Sequence, residues 1–445
     1  MSQIEKNEQN TQERIIPKLR FPEFQTALGW DKHILNDYSE IVRGGSPRPI
    51  DNYLTKNING LNWLKIGDVD KDAKYVTKTE ERVIPEALSK TREVSRGDFI
   101  LSNSMSFGRP YILQIDTCIH DGWIAITNID ERLDKNYLYY LMLTSSCQNY
   151  FLKNAAGSSV LNLNAEIIKL LPITLPKIEE QQKIADCLSS IDELIELQEQ
   201  KLAALKQHKK GLMQQLFPSH NDLQASKQAS KQASKQIVYP KLRFPQFKDC
   251  EGWRVVKLGN VFKRITLKNK ENNQNVLTIS AQYGLISQLD FFNKSVAAKN
   301  ITGYYLLHKG DFAYNKSYSN GYPWGAVKPL KLYDKGVVST LYICFRLQEL
   351  YSEYGSFFEH YFETGLQNTE ISQIAQEGAR NHGLLNVSVQ DFFENISICL
   401  PSSKEQQAIA DCLSSLDKLI NEENEQIGRL KDHKQGLMRQ LFPNI

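Results

Sequence analysis

The chain contains no Pro-Pro and no Gly-Lys dipeptide. The first absence removes the Asn/Asp-Pro-Pro-aromatic motif expected of an adenine methyltransferase. The second removes the G-x-x-x-x-G-K-[ST] phosphate loop. None of the eight histidines falls in an HExxH zinc motif, and no Pro-Asp nuclease signature occurs. His120-Asp121 and His382 stand isolated in the sequence and read as surface or structural residues. Seven cysteines form no CxxC pair, and an odd count without metal spacing argues for reduced thiols in a cytosol. No apolar run approaches the ~18 residues that a membrane span requires. The opening MSQIEKNEQNTQER lacks the apolar core of a signal peptide, so a cytoplasmic location is expected. A net charge of +3 neither demands nor excludes nucleic acid, because a basic face can hide in a near-neutral total. The hydrophobic share of 41% and charged share of 24% are those of an ordinary globular chain. Together the absences favour binding over catalysis, with no catalytic residue, no metal site and no cofactor bound by this chain.

What is present is a long internal repeat, which overrides a domain count based on length alone. EEQQKIADCLSSID from Glu179 and KEQQAIADCLSSLD from Lys404 agree at eleven of fourteen positions, 225 residues apart. The same offset relates Leu175-Pro176 to Leu400-Pro401, and HKKGLMQQLFP from His208 to HKQGLMRQLFP from His433. PKLRFPEF at Pro17 returns as PKLRFPQF at Pro240. Each half therefore opens and closes on shared text while the interiors diverge.

Within the repeat, Ile184, Leu188, Ile191, Ile195, Gln198, Leu202, Leu205, Lys209, Leu212 and Leu216 follow alternating steps of four and three. This is a heptad seam. Ile409, Leu413, Leu416, Ile420, Glu423, Ile427, Leu430, Lys434, Leu437 and Leu441 repeat it, so polar interruptions recur at matched places and are expected to fix register or orientation. Ser402 and Glu405 suggest a capping box, and Phe-Pro at 217–218 and 442–443 ends each helix. A helix from Glu180 to Leu216 would be about 55 Å long. The economical partner for each seam is the other copy, in an antiparallel intramolecular coiled coil. Gly211 and Gly436 mark either a close approach of another backbone or simply tolerated glycines.

Between the halves, QASKQASKQASKQ from Gln224 is either a flexible tether or a helical spacer whose unit count sets a length. The interiors, about 30–171 and 253–396, read as mixed α/β with much strand. DFILSNS, YILQI, WIAITNI and GVVSTLYICFRL alternate with turn clusters. GDFI at Gly97 matches GDFA at Gly310, and Ser104 and Ser317 each follow the matched phenylalanine by five residues. One fold with two different surfaces is the expectation.

Small polar groups and arginines on turns suit phosphates and base edges. In the first interior, IVRGGSPRPI places Arg43, Gly44, Gly45, Ser46 and Arg48 on a turn, and SNSMSFGRP supplies Asn103, Ser104, Ser106, Phe107 and Arg109. Lys65, in WLKIGDV, is a further candidate for DNA contact. In the second, VFKRITLKNK offers Lys263 and Arg264, and YNKSYSNGYPWG offers Asn315, Lys316, Ser317, Tyr318, Asn320, Tyr322 and Trp324. EGARNHGLLN adds Arg380, Asn381 and His382. Taken singly these residues also fit solvated loops. As clusters they point to DNA.

Two divergent interiors, each followed by a helix bearing EQQ-x-IADCLSS and ending in GLM-x-QLFP, resemble a type I restriction–modification specificity subunit. GGSPRP followed by WLKIGDV at Trp63, and LTISAQYGLISQ with GARNHGLLN, are similar to stretches common in such domains. The second half departs by having VFKRITLKNK in place of a GGxP turn. The resemblance implies an α+β chain with a pseudo-twofold circular layout: a polar tail over 1–16, target-recognition domains over 17–176 and 240–401, coiled-coil helices over 177–218 and 402–445, and a linker over 219–239. It implies a noncatalytic subunit whose two domains each read half of a bipartite, asymmetric double-stranded DNA site. Its implied partners are two methyltransferase subunits using S-adenosylmethionine, and restriction subunits using ATP and Mg. Half-sites about one DNA turn apart, ~34–36 Å, would fit such a frame. A scaffold protein with duplicated β-rich modules is the alternative.

Overall fold

The computed structural model describes residues 14–103, 107–155, 162–229, 236–280, 284–292, 300–318, 321–375 and 385–443. It divides into two compact units, Met1–Glu199 with Glu425–Ile445, and Gln200–Asn424.

In the first unit a five-stranded sheet runs in the order Glu40–Arg43, Trp123–Thr127, Phe99–Ser102, Pro110–Leu113, Tyr75–Val76. Every residue of Phe99–Ser102 and of Pro110–Leu113 is buried, which explains why these strands read as continuous apolar runs rather than alternating ones. A second five-stranded sheet is ordered Leu54–Thr55, Glu81–Val83, Leu61–Leu64, Thr117–Ile119, Arg92–Val94. In the second unit the main sheet is ordered Phe262–Arg264, Ile343–Leu347, Phe312–Asn315, Ala326–Pro329, the same arrangement as the first four strands of its counterpart.

The expected likeness of the interiors extends to the GDF turns. Gly97 and Gly310 have φ of +91° and +88°, which a side chain rarely tolerates. Gly97 N donates to Leu113 O and Gly310 N to Leu330 O, both at 2.8 Å. Asp98 accepts from the amide of Ser95 at 2.9 Å, and Asp311 from that of His308 at 2.7 Å. Two diverged sequences thus keep one turn.

The repeated segments form helices Ile178–Leu216 and Ser403–Leu441, each of 39 residues. Their pairing is antiparallel in both units, because partner numbers fall on one helix as they rise on the other. In the first unit Asp192 pairs with Lys434 at 2.5 Å and Glu199 with Lys431 at 2.7 Å. In the second, Lys201 pairs with Glu423, and Lys209 with Asp417 at 2.5 Å. The seam lysines, Lys209 and Lys434, therefore bond the matched aspartates of the repeat, as a register-fixing role requires. Ile184, Leu188, Ile195, Ile409, Leu413, Ile420 and Ile427 are buried along the seam.

The shared text at the ends of each half forms one joint, built twice. Arg20 makes a bidentate pair with Glu180 at 2.7 Å on both oxygens, and Arg243 with Glu405 at 2.8 and 2.6 Å. Gln181 and Gln406 donate to the carbonyls of Pro176 and Pro401 at 2.9 and 3.0 Å. Leu19 N donates to Gln440 O at 3.0 Å in the first unit, and Leu242 N to Gln215 O at 2.9 Å in the second. Within each unit, PKLRFP thus meets the end of the helix that belongs to the other sequence repeat. Phe442 and Phe217 carry the LFP ends into the two cores.

One sequence expectation changes, and one open alternative is decided for tolerated glycines. Ser402 Oγ accepts from Glu405 N at 3.3 Å, but the Glu405 carboxylate is taken by Arg243, so only half of the capping box forms. A Cβ added at Gly211 or Gly436 would meet nothing within 4 Å, so among the described residues no backbone closes on either. The QASK segment begins as a helix, His220–Ala229, and Gln236 returns onto it through Ser226 Oγ at 2.9 Å. Residues 230–235 lie outside the described residues.

Candidate nucleic-acid interface

In the first unit the GGSPRP turn follows strand Glu40–Arg43, whose register sets Arg43 opposite Ile124. Gly44 and Gly45 are required by space. A Cβ on Gly44 would lie 2.2 Å from the carbonyl oxygen of His120, and one on Gly45 2.7 Å from that of Lys90. The glycines let the turn press onto the neighbouring strand ends, where Gly44 N donates to Trp123 O and Gly45 N to Ile119 O. Arg43 Nε then donates to the Asp121 carbonyl at 3.0 Å, Ser46 Oγ to Asp121 Oδ1 at 2.8 Å, and Arg48 Nη2 to Asp121 Oδ2 at 3.3 Å. Asn103 is buried, and its Nδ2 donates to the Asp121 carbonyl at 3.2 Å.

Asp121 is thus the hub of residues that the sequence left on separate loops. Burial works against its charge, but the Ser46 hydroxyl, His120, Arg48 and Arg43 outweigh it and hold the carboxyl below its usual range. His120 Nε2 lies 3.1 Å from Asp121 Oδ1, and His120 Nδ1 accepts from Gly122 N at 2.8 Å. Nothing in the sequence pattern flagged Asp121 beyond the isolated His-Asp pair, because its partners lie between 18 and 78 residues away. Lys65 follows strand Leu61–Leu64 and is not drawn into this hub. Its Nζ lies 2.8 Å from Glu81 Oε1, a hydrogen bond that raises its ammonium pKa, and its amide donates to Asp68 Oδ2 at 3.1 Å. Its charge is therefore answered by a carboxylate on the adjacent strand, Glu81–Val83. Phe107 packs against the core, and Arg109 sits 4.0 Å from Asp72. Ser104 and Ser106 lie outside the described residues.

In the second unit Lys263 and Arg264 are exposed on an edge strand of the main sheet. Asn315 ends its strand and accepts from Ser317 N at 3.1 Å. Lys316 is half-buried, and loss of hydration lowers its ammonium pKa. Its carbonyl accepts from Leu385 N at 2.9 Å, just as Asn103 O accepts from Leu163 N at 3.0 Å. Tyr318 is exposed. Tyr322 and Trp324 are built into the fold: Tyr322 OH donates to Glu363 at 2.8 Å beside the Lys328–Glu363 pair, and Trp324 packs on the core while its carbonyl accepts from Tyr314 OH at 2.7 Å. Asn320, Arg380, Asn381 and His382 lie outside the described residues. Among the described residues no group of His, Cys, Asp and Glu could hold a metal ion, and no helix is long and apolar enough to cross a membrane.

In each unit an aromatic ring of the domain also meets a matched serine and aspartate of the repeat. Tyr140 OH lies 3.1 Å from Ser189 Oγ and donates to Asp192 at 2.7 Å. His360 Nε2 lies 3.2 Å from Ser414 Oγ, with Nδ1 3.8 Å from Asp417. Matched serine and aspartate pairs of the repeat thus receive a different ring in each half.

This doubled architecture has known relatives. A family model described as the type I restriction modification DNA specificity domain matches the chain twice, over residues 28–207 and 250–429. The chain belongs to this family. Each match takes in one complete interior and most of the helix after it, so this type I specificity chain carries two domain copies. It is 24% identical over 440 residues to the MjaVIII specificity subunit of Methanocaldococcus jannaschii, covering 94% of this chain and 93% of that one. It is 26% identical over 238 residues to the MjaIX specificity subunit of the same organism, spanning about half of each (53% and 52%). Its fold is that of a type I restriction–modification S subunit from M. genitalium, at a TM-score of 0.54 and 15% identity over 97% of this chain and 100% of that one. A chain from a structural study of complex assembly in a type I system matches at 0.53 and 15% identity, covering 94% and 98%.

Proposed function

We propose that this type I specificity subunit reads a bipartite, asymmetric DNA site, with one recognition unit on each half. The observation that carries the reading is the pairing of a common main sheet with unlike loops. The first unit presents arginines gathered on Asp121, and the second presents Lys263, Arg264, Lys316 and Tyr318, which among the described residues share no such carboxylate. Scaffolds that differ only in such loops read different base edges, because bidentate and single contacts select different donor and acceptor patterns in the major groove.

The chain works without a catalytic residue or cofactor of its own. Two methyltransferase subunits, using S-adenosylmethionine on adenine N6, dock on the twice-built helices, and restriction subunits using ATP and Mg complete the assembly. Two nearly identical helix faces meeting one kind of partner twice would account for the agreement between repeats, since the solvent-facing Asp186 and Asp411, Ser190 and Ser415, and Leu194 and Leu419 also match. The test is adenine methylation across a genome, read by long-read sequencing in cells carrying a cognate methyltransferase with and without this chain. A new two-part motif with a fixed gap supports the reading. A confirmed complex that yields no new motif refutes it, and absence of any complex favours the scaffold.

A further inference from the structure

We propose that Asp121 is the positioning residue that sets which bases the first recognition unit reads, an inference that rests on the DNA-reading function above. Three chain segments meet at this residue: the turn after Arg43, the loop at Asn103 and the turn His120–Trp123. Its two carboxylate oxygens accept from Ser46 and Arg48, its carbonyl from Arg43 and Asn103, and its amide donates back to Ser46 Oγ at 3.2 Å. The Arg48 side chain is nonetheless 81% exposed, so it is aimed without being buried. A guanidinium tethered to a carboxylate at one nitrogen has its remaining donors biased toward one direction. That suits reading guanine O6 and N7 better than neutralising a phosphate, where a freely moving charge serves as well.

The second unit shows that the fold does not need the carboxylate. Trp123 N donates to His120 O at 3.0 Å and Gly122 N to the His120 side chain at 2.8 Å. Tyr342 N donates to Ser339 O at 3.1 Å and Leu341 N to Ser339 Oγ at 3.3 Å. The turn is the same, and the place of Asp121 is held by Thr340. The unit that lacks the GGSPRP arginines also lacks the acid that would hold them. A residue needed only to close the turn would be needed in both halves, whereas Asp121 occurs only where there are arginines to direct.

The experiment uses the assembled methyltransferase complex with wild-type chain, Asp121→Asn, Arg48→Ala and the double variant, reading the methylated motif and the salt dependence of DNA binding. In Asp121→Asn, discrimination at one or two positions of a single half-site should fall about tenfold or more, with the other half unchanged. The salt slope should not shrink, since no phosphate contact is lost. Arg48→Ala should relax the same half, and the double variant should lose no more than the larger single loss, as coupled residues do. An unchanged motif in both single variants overturns the proposal, as does a change confined to the half that exchange of the second interior alters. Should Asp121→Asn erase both halves through misfolding, the exposed Arg48 decides alone, and an unchanged motif in Arg48→Ala overturns it. A wild-type complex giving no two-part motif would instead refute the DNA-reading function itself.

Discussion

Removing the Glu405 carboxylate should be among the most damaging single changes in the second unit. The Arg243 and Glu405 side chains are 6% and 2% exposed and meet through two hydrogen bonds of 2.8 and 2.6 Å. Arg243 also donates to the carbonyls of Cys250 and Glu251 at 2.9 and 3.1 Å, which hold the guanidinium in place but do not neutralise it. Glu405→Ala therefore strands a buried cation, at a cost of about 3–5 kcal/mol. For a unit of this size each kcal/mol lowers the melting temperature by roughly 2–4 °C, so a drop of about 6–20 °C is expected in scanning calorimetry. The reasoning makes a second, less obvious demand. Replacing both partners by apolar residues, Arg243→Met with Glu405→Leu, should recover much of the loss, because no charge is then left without a partner. A Glu405→Ala protein within about 1 kcal/mol of wild type, or a double variant no more stable than the single one, would refute the argument. Glu180 holds the matching position and also accepts from Trp30 Nε1 at 3.4 Å, so Glu180→Ala should cost at least as much in the first unit.

Burial, and then nearby Lys209, push the His360 imidazole down from 6.5 to about 4 against the pull of Asp417. On acidification the unfolded chain takes up this proton first, so the stability it contributes is present above pH 6.5 and lost as the pH falls toward 4. His360→Tyr, which copies Tyr140 of the first unit, should flatten the change in melting temperature between pH 7.5 and 5. Two glycine replacements should act in opposite directions in thermal melts. Gly44→Ala drives a Cβ to within 2.2 Å of the His120 carbonyl and should destabilise by about 1–3 kcal/mol, whereas Gly211→Ala enters open space and should stabilise by up to about 1 kcal/mol.

The helices and their antiparallel pairing were legible because period and identity act over local, repeated text. Ile184 through Leu216 state the seam, and a second copy supplies its partner. The strands at Phe99, Tyr111 and Trp123 were legible as β-rich runs set between turn clusters. The candidate site was less so. Arg43, Ser46 and Arg48 could be read as a turn, but the residue that gathers them lies some 75 positions on, where a single acid carries no periodic signal. Tyr322 and Trp324 read as DNA-facing because YNKSYSNGYPWG interleaves them with asparagines and a lysine. What the sequence could not show was Lys328 and Glu363 waiting beneath Tyr322, or a core ready to receive Trp324. Glu405 likewise satisfied a capping pattern, while its actual partner, Arg243, lies 162 residues earlier.

The joint between each PKLRFP and the opposite helix end bears on the order in which the protein is made. The second unit is the unbroken stretch Gln200–Asn424, and all of it has left the ribosome's active centre before residue 425 is added. The first unit begins earlier but is completed later, because Leu19 awaits Gln440, Asp192 awaits Lys434, and the core around Tyr137 awaits Phe442. Synthesis thus supplies every residue of the second unit while the first still lacks the segment that covers its half of the seam. A chain that stopped after residue 424 would keep every residue of the later-synthesised unit and lose part of the earlier one.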